Sequence, residues 1–165
     1  MPDRSRSSSA VVSNSERSGA AKVVVGRRGL TYRTQVHIEP GAQAREQRIV
    51  NESDTACSVG TGDVPVLATS QLFAWCEQAS FEVLARYVPE GSTSVAMRVQ
   101  IDHIRAASPG CAVTTIATLE RVEGRRYVFV VSAIDNQNQE LASGRVVRVL
   151  VEVQPFLAKA CGSPQ

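Results

Sequence analysis

The stretch Thr69-Ser-Gln-Leu-Phe-Ala-Trp-Cys-Glu-Gln-Ala-Ser-Phe-Glu-Val-Leu-Ala-Arg-Tyr87 repeats its apolar residues with a helical period. Leu72, Cys76, Ala79, Val83 and Tyr87 fall at i, i+4, i+7, i+11 and i+15, with Phe73, Ser80 and Leu84 alongside. That period places them on one stripe of a helix of about five turns. Thr69 or Ser70 is the expected N-cap, and Pro89 and Gly91 stand beyond the far end. It is the one convincing helix in the chain.

Everything after Gly91 reads as strand. Ser94–His103 alternates through Val95, Met97, Val99 and Ile101, and Ser108-Pro109-Gly110 is a turn. Cys111–Val122 is rich in Val, Thr and Ile, and Glu123-Gly124-Arg125 turns into Tyr127–Ile134. Asp135–Gln139 turns again before Leu141–Val153. Four successive strands joined by short turns predict an antiparallel meander. Before the helix, Thr31–Ile38 is a β-rich run stopped by Glu39-Pro40-Gly41, and polar Asn51–Pro65 reads as a long loop of the kind that is usually functional.

One long helix and one antiparallel sheet hide their apolar faces only by wrapping one around the other. The expected fold is therefore α+β: a hotdog fold, with a curved antiparallel sheet wrapped around one long central helix. Its open edges predict a homodimer.

The chain has 165 residues, 43% hydrophobic and 21% charged, in keeping with a single domain having a real core. Residues 1–20 form a Ser/Arg-rich leader expected to be disordered, 21–160 the domain, and 161–165 a flexible tail. The leader has no apolar core for secretion, and no apolar run is long enough to span a bilayer, so the expectation is a cytoplasmic protein with no membrane partner. Residues 1–33 carry seven Lys/Arg against Asp3 and Glu16, leaving the rest of the chain net acidic. No basic stripe with interleaved aromatics appears there, so no nucleic-acid partner is expected. Cys57, Cys76, Cys111 and Cys161 are scattered, without metal-ligand spacing. They read as free thiols, with no metal and no cofactor.

Two side chains stand out chemically. Glu77 lies at the edge of the helix's apolar stripe. The spacing fits first a solvated helix glutamate; a half-buried carboxylate there would have its ionised form disfavoured, as suits a base or nucleophile. His103 ends an alternating strand before a Pro-Gly turn and fits a surface histidine or a catalyst. Thr69, at the helix start, fits a cap or a polar group of the site. The helix N-terminus itself offers unpaired N–H groups to a developing oxyanion. No nucleophile elbow, P-loop or dinucleotide fingerprint is present.

The sequence Pro65-Val66-Leu67-Ala68-Thr69, with Glu77 eight residues further on, resembles the fluoroacetyl-CoA thioesterase family of hotdog proteins. So do Ile101-Asp102-His103 with Ala106-Ala107-Ser108-Pro109-Gly110, the Arg121–Arg126 hairpin, and the last strand with Gly144 and Arg148, followed by Phe156-Leu157-Ala158-Lys159. The resemblance covers roughly 29–159. It implies an acyl thioesterase, cofactor-free, acting on an acyl-CoA or acyl-carrier-protein thioester. Thr69, Glu77 and His103 would be the catalytic set: Glu77 as base or nucleophile, His103 in proton transfer to the leaving thiolate, and Thr69 positioning water or the carboxylate. Ala96 and Arg148 would contact substrate, the backbone near Ala96 holding the oxyanion. The family's fluoroacetyl-specific members cover the acyl pocket with a phenylalanine-bearing lid. Asn51–Asp63, the corresponding stretch here, has no aromatic, which points to a larger acyl group. The other reading is a non-catalytic hotdog module that binds an acyl-CoA or acyl-carrier ligand, for which none of the three polar residues is needed.

Overall fold

In the computed structural model, residues 36–160 and 162 are described. The leader, Cys161 and the expected strand segment 31–35 lie outside them. Val36 and Ile38 are buried but belong to no strand. The first strand is instead β1 (Gln43–Ile49), after a turn at Pro40-Gly41. Its sequence is mostly polar because it is an edge strand that buries only Ala44.

The stretch read as a loop contains a 3-10 turn (Glu52–Asp54) and a one-turn helix α1 (Ala56–Val59). Its ends are closed by the Thr55–Leu67 bridge and by the Ala56 N–H on the Val66 carbonyl at 2.8 Å. Helix α2 spans Thr69–Ala85. Its N-cap is Ala68, with no side-chain cap, rather than Thr69 or Ser70, because Thr69 is already the first helical residue. Strands β2 (Ser92–His103), β3 (Ala112–Glu123), β4 (Arg126–Asp135) and β5 (Glu140–Glu152) follow, then a short α3 (Val153–Leu157).

The sheet order is β1-β3-β4-β5-β2, every pair antiparallel. Strands β3, β4 and β5 form the expected meander. Strand β2 does not join it beside β3; it pairs with β5 at the far edge, and residues 104–111 carry the chain across. The physical reason is α2: β1 precedes it and β2 follows it, and placing them at opposite edges lets the sheet close round the helix. Helix α2 touches all five strands. Leu72, Cys76, Ala79 and Leu84 are fully buried against inward residues such as Ala117, Leu119, Phe129 and Val146. This is the hotdog architecture.

Strands β2 and β5 approach closely at Gly144, opposite Ile101. A Cβ there would overlap the Gln100 carbonyl oxygen and lie 2.6 Å from Ile101 Cα, both rigid backbone. Gly144→Ala is therefore expected to lower stability by about 3 kcal/mol, the upper range for forced overpacking. A shift of the urea midpoint measures this, and an unmoved midpoint would show that the strands do not meet so closely.

Candidate active site

The polar residues gather in two clusters, at two places along α2. At its start, the Thr69 hydroxyl lies 3.0 Å from His103 Nδ1. Local backbone bonds bring this about. The Leu67 N–H donates to the Ala107 carbonyl at 2.8 Å, and the Gly110 N–H to the Val50 carbonyl at 2.8 Å. These pin the β2–β3 connection against the entry to α2, so the last residue of β2 faces the first of the helix. The two residues share a cavity of about 540 Å³ with Ala56, Val66, Leu67 and Ile104. No side chain caps the helix, so its first N–H groups remain available at this cavity.

His103 is half-buried, and burial lowers its imidazole pKa below the ordinary value, with the Arg105 backbone acting in the opposite direction. The ring is therefore neutral at pH 7. Its Nε2 is buried and makes no hydrogen bond among the described residues, an arrangement that calls for a partner.

The second cluster is built on Arg148, an inward-facing residue of β5 that is 4% exposed. Its Nε donates to Ser94 Oγ at 2.9 Å and its Nη2 to the Ser94 carbonyl at 2.8 Å. Nη1 donates to the Glu77 carbonyl and to Ser80 Oγ, and lies 3.8 Å from Glu77 Oε1. The guanidinium also sits over the Phe81 ring. Burial lowers the Arg148 pKa and the Glu77 charge raises it. Glu77 keeps its side chain 45% exposed, in a pocket with Ala74, Gln78 and Phe81. Ala96 pairs with Arg148 in register, and the ladder slips between Ala96 and Arg98, so Met97 is an extra residue in a bulge.

Of the sequence-predicted residues, Thr69 and His103 meet. Glu77, Arg148 and Ala96 form a separate group. Eight residues on one helix place Glu77 about 12 Å further along the axis than Thr69. Sequence reasoning missed Ser80 and Ser94, which anchor Arg148. Their signal was a serine on the apolar stripe and one on the alternating strand. His37 pairs with exposed Glu39 and joins neither cluster. Burial pushes the Cys76 thiol up to about 12, which disqualifies it as a nucleophile. No group of three or more His, Cys, Asp or Glu among the described residues is arranged to hold a metal.

A long central helix wrapped by a curved antiparallel sheet is the fold of the hotdog thioester hydrolases. The comparisons agree: the family model for fluoroacetyl-CoA-specific thioesterases matches residues 50–154, and the chain belongs to that family. The fluoroacetyl-CoA thioesterase of Streptantibioticus cattleyicolor is 35% identical over 94 residues, 57% of this chain and 67% of that one. A solved structure of the fluoroacetyl-CoA thioesterase FlK superposes with a TM-score of 0.72 at 28% identity, covering 78% of this chain and 99% of that one. A thioesterase superfamily member from Thermus thermophilus gives 0.70 at 26% identity, covering 74% and 90%.

The lowered His103 pKa fixes a pH dependence. The unfolded imidazole takes up its proton near pH 6.5, before the folded one does. Stability is therefore complete above that pH, declines as pH falls below it, and levels off once the folded imidazole is also protonated. Urea denaturation of wild type and His103→Gln at pH 5.5 and 7.5 is expected to show a larger loss on acidification in wild type. Equal losses would place the ring in a water-like environment.

Proposed function

We propose that this protein hydrolyses an acyl thioester of coenzyme A through Thr69 and His103 of one protomer and Glu77 of a second copy. The Thr69–His103 contact carries the reading, since a binding module has no use for a hydroxyl held on a neutral, half-buried imidazole. Glu77 lies too far along the helix to reach its own chain's His103. A second protomer supplies the carboxylate if the two helices run side by side in opposite directions. The β2 edge, with Met97 53% exposed, supports a homodimer joined there.

The chemistry divides among the groups. Glu77, braced by Arg148, accepts a proton from the water that attacks the carbonyl carbon. Uncapped N–H groups at the head of α2 hold the oxyanion, a term that is worth about 3–4 kcal/mol for one well-placed donor. Thr69 fixes the imidazole through Nδ1, and the proton that Glu77 took from the water is relayed through His103 to the departing sulfur, leaving the carboxylate ionised and the imidazole neutral again. The products are a free acid and a thiol. Aliphatic Ala56, Val66, Leu67 and Ile104 wall the cavity beside this pair, which supports an acyl group larger than fluoroacetyl. No helix among the described residues is long and apolar enough to cross a membrane, which fits a cytoplasmic enzyme.

Thiol release over a panel of acyl-CoAs tests the reading. Glu77→Gln and His103→Ala are each expected to cut kcat by at least about a hundredfold, the low end of acid–base assistance. Refolding the two variants together distinguishes the shared site. Half the dimers are then mixed, each with one of two sites whole, so about a quarter of wild-type activity returns. If no activity returned, Glu77 and His103 would have to act within one chain.

A further inference from the structure

At the end of β2 opposite His103, the molecule has a second cavity, of about 430 Å³. Its walls are the tip of the β3–β4 hairpin, the paired ends of β2 and β5, and the short helix α3. The framework is tied down by the backbone. The Val153 N–H donates to the Gly91 carbonyl at 2.9 Å and the Leu150 N–H to the Arg125 carbonyl at 3.3 Å. At the hairpin tip Gly124 has φ +63°, which a side chain would strain. That turn sets Arg125 in the lining of the cavity, to which Lys159 also belongs.

The charges here are arranged unevenly. Glu120 is engaged by Arg121 and Arg145, and Glu123 by Arg121, so the acids of the hairpin are already taken. Arg125 and Lys159 have no ion pair among the described residues, and Glu152 is the one acid in the lining. Phe156, 44% exposed, presents an aromatic surface beside them. Two unpaired cations next to an exposed ring suit a phosphorylated, aromatic ligand.

The cavity also lies in line with the Glu77 cluster. Arg148, Leu150 and Glu152 point to the same face of β5, and four residues of strand span about 13 Å from Arg148 to Glu152. An extended pantetheine arm covers such a distance. We propose that this cavity receives the nucleotide end of the coenzyme A thioester, with phosphates on Arg125 and Lys159 and the adenine on Phe156. The proposal rests on the thioesterase reading for its geometry. The substrate then enters along the protomer that supplies Glu77 and presents its carbonyl to the partner's histidine.

The test separates the two claims. Coenzyme A itself, which needs no turnover, is titrated calorimetrically into wild type and into Arg125→Ala/Lys159→Ala. Both side chains are exposed, so the variant keeps its fold. The expected result is a Kd raised about tenfold or more, from two lost charge-assisted contacts. Glu152→Gln is expected to shift it the other way. In thiol-release assays the double variant raises KM for an acyl-CoA but not for the same acyl group on N-acetylcysteamine, which lacks the nucleotide. Coenzyme A binding that ignores the double substitution, or no binding at all, overturns the site even if hydrolysis proceeds. Arg125- and Lys159-dependent binding without hydrolysis would uphold the site while the thioesterase reading fails.

Discussion

Helix α2 has to be covered over one broad face along its whole length, and the rest of the molecule is arranged to do so. Leu72, Trp75, Cys76, Ala79, Ser80, Val83 and Leu84 are all buried, a stripe about half the helix circumference wide, while Ala74, Gln78 and Ala85 on the other side are exposed. A flat sheet meets a helix along a narrow line, so covering a stripe this wide with five strands requires them to curl. Register slips between Ala96 and Arg98, Leu119 and Arg121, and Ala133 and Ile134 interrupt the ladders, and bulges of this kind bend and twist strands. The edges of the curl are β1 and β2, the segments that flank the helix in sequence. The chain tethers both ends of the helix to the two edges of its own wrapper.

Both halves of the candidate site follow from this wrapping. Crossing from the far edge back to β3 forces residues 104–111 past the head of α2, which sets His103 against Thr69. Wrapping also carries the inward face of β5 onto the flank of the helix, and one inward residue there is an arginine. A buried guanidinium is costly unless each donor finds an acceptor. Ser94, Ser80 and the Glu77 carbonyl supply them, and the nearby Glu77 carboxylate supplies the countercharge. The same bonds that make Arg148 tolerable in the core fix the backbone from which Glu77 projects.

This also accounts for what could be read from the residues and what could not. The period of α2 and the alternation of β2 to β5 are local properties, and their boundaries agree within about two residues, as pattern reading allows. Strand β1 escaped notice because Gln-Ala-Arg-Glu-Gln-Arg-Ile has no apolar alternation, being an exposed edge. The pairing of β2 with β5 joins residues some forty to sixty positions apart, and no local pattern encodes it. The Thr69–His103 contact depends on that pairing, so chemistry nominated both residues but only topology put them together. Arg148 was nominated as a substrate contact, and the signal for its burial was parity: Val146, Arg148 and Leu150 share the inward face.

The segment between β1 and α2 links the fold to the substrate choice proposed above. Its sequence is polar, yet hydrogen bonds close it on itself and dock it beside Thr69 and His103. Thr55, fully buried, accepts from the Ser58 N–H and donates to the Glu52 carbonyl, so the segment keeps its shape without an apolar core of its own. What it offers the cavity is therefore small: the methyl of Ala56, the side chain of Thr61 and the isopropyl of Val66. An aromatic ring in this position would fill the space beside the carbonyl. Under the function proposed above, short side chains leave that space to the acyl group, and selection then rests on how well an acyl chain packs against Leu67 and Ile104.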